Sequence, residues 1–344
     1  MKILENISLA CLTNLGIGGP ARWFAEATSE AEIAEACLWA REQDVPLFVL
    51  GGGSNVLVAD KGFEGLALHV ALTGMELEEE LLSAAAGVRW DDCVEQALGA
   101  NCAGLECMAG IPGTVGGTPV QNVGAYGQEV ASVITRVRAF DRAAQEFVEF
   151  ANAECGFAYR RSRFNSIDRG RFVVTRVDYR LRQNGLPTLT YAELKAHFSG
   201  RVRTPTLAEV AEVVRGIRQS KGMLLVEGDA DCRSAGSFFK NPSVAPEVAE
   251  RVKKIAGDSG LTLRTFPAEG GMVKIPAAWL IEQAGFRKGY ELGAAGISSR
   301  HTLALVNRGG ATASEILALA EKIQAAVEAK FGVRLEMEPE RVGF

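Results

Sequence analysis

The stretch Leu47-Phe48-Val49-Leu50-Gly51-Gly52-Gly53-Ser54-Asn55-Val56-Leu57-Val58, LFVLGGGSNVLV, carries the strongest fold signal in the chain. An apolar run enters three glycines, and a second apolar run follows Ser54-Asn55. The pattern predicts strand, glycine loop, strand. A Rossmann unit needs G-x-G-x-x-G opening a helix, and these glycines lead into Val56-Leu57-Val58 instead. Gly16-Ile17-Gly18-Gly19 fails the same test because Pro20 interrupts it. Three successive glycines still let backbone N–H groups converge without Cβ clashes, and such a nest suits phosphate. Ser54 and Asn55 would add side-chain donors. A tight hairpin turn accounts for the same residues equally well, so the motif alone leaves both readings open.

Downstream lies a second glycine-rich tract. It reads Gly110-Ile111-Pro112-Gly113-Thr114-Val115-Gly116-Gly117, then Gln121-Asn122-Val123-Gly124-Ala125-Tyr126-Gly127-Gln128-Glu129. A surface loop would carry more charge. Dense glycine with few charges suits backbone lying against a flat ligand. Two such loops suggest a dinucleotide held without a Rossmann fold.

The bulk numbers set the frame. The chain has 344 residues, which predicts two or three domains. Its 47% hydrophobic and 23% charged content is that of a globular protein. A net charge of -5 without a basic run argues against nucleic acid or an anionic membrane as main partner. No apolar run approaches the roughly 20 residues that span a bilayer. The N-terminal MKILENISLACLTNLG reads as mature structure rather than a signal peptide. Seven scattered cysteines without a CxxC, and three unclustered histidines, predict free thiols in a reducing cytoplasm and no metal site.

Helix starts are marked by three capping-box patterns: Ser29 to Glu32, Thr206 to Glu209 and Thr312 to Glu315. Apolar residues at helical spacing follow each, including Ile316, Leu319, Ile323, Val327 and Phe331 after the last. Gly332 is a suitable stop. A helix is expected over about 90–98 and another over 277–284. Phe172 to Tyr179 is a strand by composition.

One further stretch, Ala235-Gly236-Ser237-Phe238-Phe239-Lys240-Asn241-Pro242, delivers a hydroxyl between small and aromatic residues. Alone it reads as a turn serine. Taken in order, however, GGGSNVLV, IPGTVGG with QNVGAYG, Tyr159-Arg160-Arg161-Ser162, AGSFFKNP and the terminal LEMEPE resemble the UDP-N-acetylenolpyruvoylglucosamine reductase family over nearly the whole chain. The resemblance implies an α+β fold, with an FAD-binding fold like that of vanillyl-alcohol oxidase flavoproteins and a C-terminal α+β substrate domain. The domains expected are 1–70 and 71–217 for FAD and 218–339 for substrate, with 340–344 returning to the first. It implies NADPH-dependent, FAD-mediated reduction of an enolpyruvyl UDP-sugar to UDP-N-acetylmuramate for peptidoglycan, in the cytoplasm; the sequence leaves the oligomeric state open, with a monomer favoured.

Residue by residue, the resemblance implies cofactor contacts from Gly51, Gly52, Gly53, Ser54, Asn55 and Val56. It implies further ones from Ile111, Pro112, Gly113, Thr114, Gly116, Gly117, Asn122, Gly124 and Ala125. Hydride addition at the enolpyruvyl β-carbon builds charge at the α-carbon and its carboxylate, which calls for a cation and a proton donor. Arg160 matches the cation, since a guanidinium fork fits a carboxylate. Glu338, second acid of the L-E-x-E ending, matches the carboxyl partner, and Ser237 the donor to the α-carbon, with Lys240 as a possible activator. Tyr126, Tyr159, Tyr191, Lys221, Asn241 and Gln283 match substrate contacts.

The chain departs from the family pattern in two places. Phe266 before Pro267 stands where some members have tyrosine, and Lys221 to Arg233 is longer and more acidic than the expected link. Two rival readings share parts of the pattern. Another FAD oxidase of this fold would share the flavin loops but not AGSFFKNP with the final Glu. A non-catalytic nucleotide-sugar binder would be colourless.

Overall fold

The computed structural model describes all 344 residues, and the fold is α+β. The chain divides into two compact units. One comprises Met1–Ser8, Pro20–Gly53 and Gly62–Ser220; the other comprises Leu9–Gly19, Ser54–Lys61 and Lys221–Phe344. No helix is long and apolar enough to cross a membrane.

The first unit holds two main sheets. The smaller runs Ile3–Ser8, Pro20–Ala27, Phe63–Val70, Leu47–Leu50; its first pair is antiparallel and the others parallel. Helix Glu30–Glu42 buries Ile33, Ala36, Cys37 and Ala40, the face that its spacing predicts. Its cap differs from the predicted box. Ser29 Oγ accepts from Glu32 N–H, but the Glu32 carboxylate reaches back to Thr28 N–H at 2.8 Å and to the Thr28 hydroxyl. The larger sheet is antiparallel, in the order Glu146–Ala151, Ile134–Asp141, Phe172–Arg180, Leu81–Ala85, Met75–Glu78. Its central strand Phe172–Arg180 carries the β-branched residues that marked it in the sequence. Helices Trp90–Gly99 and Leu207–Ser220 complete this core with Trp90, Val94, Val210 and Val214.

The second unit is organised on helix Ala313–Phe331, which buries Ile316, Leu319, Ala320, Ile323, Val327 and Phe331. Its capping box is complete, and Gly332 ends it at a positive φ of 64°. Helices Pro246–Asp258 and Ala277–Gln283 share its core with Phe238 and Phe239.

The opening motif is not a hairpin. Leu47–Leu50 pairs in parallel with Phe63–Val70, whereas Val56–Val58 pairs in parallel with Glu340–Val342. The glycine loop thus carries the chain from one sheet to a different one, and the hairpin alternative falls away.

Candidate active site

In the first unit the two glycine tracts meet. A Cβ built on Gly52 would lie 2.7 Å from Gly113 Cα, and one on Gly51 would lie 2.9 Å from Thr114 Oγ1. Only glycine lets these backbones touch so closely. The second tract is tied down behind: Val115 N–H donates to Val88 O and Gly116 N–H to Ala86 O, each at 2.9 Å. Gly117 is exposed, with open space where a Cβ would stand.

Beyond it, Gly124–Ala125 and Gln128–Glu129 form a hairpin whose two turn residues, Tyr126 and Gly127, both have positive φ. This conformation projects the Tyr126 ring against Tyr191, edge to face at 5.2 Å. Burial pushes the Tyr126 hydroxyl up to about 12 and also raises that of Tyr191. Two tyrosines matched to substrate contacts are therefore neighbours.

Arg160 occupies another tight turn. Ala158 and Arg161 exchange two backbone bonds of 3.0 Å, leaving Tyr159 and Arg160 at the tip. Arg160 takes φ 54°, a left-handed conformation that costs an arginine about 1–2 kcal/mol. Its Nη2 donates to Gly124 O at 2.9 Å, and its guanidinium lies 5.6 Å from the Tyr159 ring centroid. Asn122 links these pieces. Its Nδ2 donates to Glu129 Oε2 and to Ala158 O, each at 3.0 Å, and its Oδ1 accepts from Ala131 N–H at 3.1 Å. Asn122 was matched to the cofactor; its fully engaged, buried amide shapes the loop and holds the Arg160 turn to it.

Sequence reasoning missed Arg218 and the pair Glu106 and Gln128. Arg218 is buried, donates to Gly110 O at 3.0 Å, and burial pulls its guanidinium below its ordinary value. Gln128 Nε2 donates to buried Glu106 at 2.7 Å, while its Oε1 accepts from Cys107 N–H. The Gln128 bonds tie the second strand of the Tyr126 hairpin to Glu106 and Cys107. No local signal marked them, since their partners are distant in sequence.

In the second unit Ser237 stands on a short antiparallel pairing of AGSFFKNP with the terminal LEMEPE. Glu338 N–H donates to Phe238 O and Lys240 N–H to Glu336 O, each at 2.9 Å, around the bridge of Phe239 with Met337. Phe238 and Phe239 are buried and anchor the segment, as expected. Phe238 N–H donates to Leu303 O at 2.7 Å, and Gly236 N–H to Ser234 Oγ at 3.3 Å. Half-buried Ser237 is thus held from both sides.

Two expectations change here. Lys240 Nζ pairs with Glu336 Oε1 at 2.5 Å, so the lysine offered as activator of Ser237 is engaged by the other terminal acid. Glu336 is exposed and Glu338 half-buried. Cys232 is more than packing: its thiol donates to Leu224 O at 2.8 Å and accepts from Val226 N–H at 3.2 Å.

The long acidic link is ordered by charge. Arg300 bonds both Asp229 and Asp231 and holds Asp229 below the usual carboxylate range. Burial pushes Asp231 up, but bonds from Ser299 and Arg300 outweigh it and leave it lowered. Lys221, half-buried, opens this link. Asn241 Oδ1 accepts from Ala277 N–H at 2.8 Å and caps helix Ala277–Gln283, whose last residue, Gln283, accepts from Lys330 through its carbonyl. Phe266 is 50% exposed, on a strand pair with Val273–Lys274.

Comparison with known proteins is consistent along the chain. A family profile described as UDP-N-acetylenolpyruvoylglucosamine reductase, C-terminal domain, matches residues 228–342, and one described as FAD binding domain matches 21–150. The chain is 47% identical to the UDP-N-acetylenolpyruvoylglucosamine reductase of Streptomyces coelicolor, over 99% of this chain and 90% of that one. It is 43% identical to that of Thermobifida fusca, over 98% of each. Among solved structures, the UDP-N-acetylenolpyruvylglucosamine reductase of Thermus caldophilus superposes with a TM-score of 0.70 at 26% identity, over 99% of both chains.

Proposed function

The chain belongs to the UDP-N-acetylenolpyruvoylglucosamine reductase family, and from that premise we propose how its residues carry the reaction. It is an FAD-containing oxidoreductase that reduces the enolpyruvyl ether of UDP-N-acetylglucosamine to UDP-N-acetylmuramate for peptidoglycan, with NADPH as reductant. The residues fit the cofactor. The tracts 51–55 and 111–117 contain no acid, lie backbone to backbone at Gly52 and Gly113, and are open beside Gly117. Gly51 to Val56 would hold the diphosphate through backbone N–H groups, and Ile111 to Gly117 with Gly124 and Ala125 the flavin and its chain. The chemistry that FAD supplies when bound is hydride transfer, from NADPH to the enolpyruvyl β-carbon.

The chain's own residues then meet the charge that develops at the α-carbon and its carboxylate. Arg160 binds that carboxylate as a planar fork, held in aim by Gly124 and Tyr159. Glu338, in its protonated carboxylic acid form, donates a hydrogen bond to the enolate-like oxygen, and Ser237 gives the proton that completes addition across the C=C bond. Tyr126, Tyr191, Lys221, Asn241 and Gln283 contact the UDP-sugar. The enzyme works in the cytoplasm as a monomer, in a pathway on which cell shape and division depend.

The observation that carries the reading is the backbone pairing of residues 238–240 with 336–338, which seats the segment bearing Ser237 on the segment bearing Glu338. The test is spectroscopic. The purified protein should show a flavin band that NADPH bleaches without air and that the enolpyruvyl sugar nucleotide restores. A protein that stays colourless in excess FAD, or whose colour only oxygen restores, refutes it.

A further inference from the structure

Asn55 lies in the loop assigned to the cofactor diphosphate, yet its side-chain amide and backbone carbonyl bond to the C-terminal segment. Its Nδ2 donates to Glu338 O at 3.3 Å, and its own carbonyl accepts from Glu340 N–H at 2.9 Å. The two bonds bracket Pro339, which is buried and has no N–H to offer. On the other side, Glu338 N–H donates to Phe238 O. Both peptide groups flanking the Glu338 Cα are therefore held: the amide by the Ser237 segment, the carbonyl by Asn55. Since proline limits the conformations of the residue before it, the Asn55 bond fixes the remaining freedom of the Glu338 backbone, and with it the origin of the side chain.

From this we propose that Asn55 is a positioning residue for Glu338, so that the cofactor loop also aims the carboxyl used in the substrate step. The inference rests on the role given to Glu338 above. A cofactor-only role for Asn55 predicts weakened FAD binding and nothing more. Positioning through Glu338 predicts a further loss in the substrate half-reaction, beyond any change in flavin reduction, that is shared with Glu338.

The experiment uses holoenzyme in saturating FAD, with each half-reaction followed by stopped-flow absorbance and FAD affinity measured by titration. Because Asn55 is also assigned to the cofactor loop, the rate at which NADPH reduces Asn55→Ala is the reference against which its effect on the substrate step is read. Its reoxidation at saturating enolpyruvyl substrate should be about tenfold slower, with little change in the concentration dependence. In the Glu338→Gln background, Asn55→Ala should add less than about twofold. Asn55→Ser, uncharged and too short to reach the Glu338 carbonyl, should give the same pattern and serves if the alanine variant does not fold. A wild-type limiting rate of reoxidation in either Asn55 variant, or full multiplication of its effect with Glu338→Gln, overturns the inference. If Glu338→Gln is slow while the Asn55 variants are not, only the inference fails. If Glu338→Gln itself reoxidises at the wild-type rate, the role of Glu338 fails with it.

Discussion

The backbone N–H of Glu338 donates to the carbonyl of Phe238 at 2.9 Å, which joins the C-terminal acid to the residue immediately after Ser237. Nothing local links the two. The bond makes one small backbone frame of two motifs that lie far apart along the chain within the second unit, and several expectations follow from it and its surroundings.

If Ser237 delivers the α-carbon proton, Ser237→Ala should leave flavin reduction by NADPH intact and slow substrate reduction by at least about 100-fold, the lower end for loss of a general acid. Separate measurement of the two half-reactions checks this. Near-normal rates in both would remove Ser237 from the chemistry.

Arg160, proposed above to bind the substrate carboxylate, also holds a left-handed backbone conformation. Arg160→Gly should relax the left-handed backbone and leave thermal stability equal or higher, by about 1 kcal/mol, while substrate reduction falls by at least about 100-fold. Arg160→Lys should also lose most activity, because a point charge does not replace the fork. Calorimetry set beside turnover tests the pair; a lysine variant with normal turnover would count against the role.

The contact of the two glycine loops predicts asymmetric tolerance. In Gly52→Ala the new Cβ would meet backbone at 2.7 Å, so the loops must part and FAD affinity should drop at least about tenfold. In Gly117→Ala the Cβ meets nothing within 4 Å of protein, and the unliganded fold should be unaffected. Flavin titration and melting curves of both variants make the comparison.

Asp60 ties the segment that follows the first glycine loop to the start of helix Ala313–Phe331. Its carboxylate accepts from Ala313 N–H at 2.6 Å, and from Ser314 N–H at 3.0 Å and Ser314 Oγ at 2.6 Å. Partial burial pushes its pKa up, but these bonds outweigh it and hold it below the ordinary value. A depressed pKa contributes stability that is present above the unfolded value of about 3.9 and lost as pH falls through the folded one. Asp60→Asn should therefore lower the melting temperature at pH 7 by a few degrees, for a cap worth about 1 kcal/mol. The gap to the unmodified protein should narrow towards pH 3. A gap that widens in acid would reverse the assignment.

What the sequence determined alone is what neighbours along the chain decide. The boxes at Thr206 and Thr312, the buried face of Ala313–Phe331, the strand Phe172–Arg180 and the strand-loop-strand reading of LFVLGGGSNVLV all depend on residues a few positions apart, and all appear in the structure. The motif order was enough to indicate the family. Only the tertiary structure decided where distant segments pair: Val56–Val58 with Glu340–Val342, Lys240 with Glu336 instead of Ser237, Asn122 with the Arg160 turn, and Asn55 with Glu338. Such contacts depend on which backbone donors and charges are left facing each other once the cores close, and no spacing within a short window encodes that.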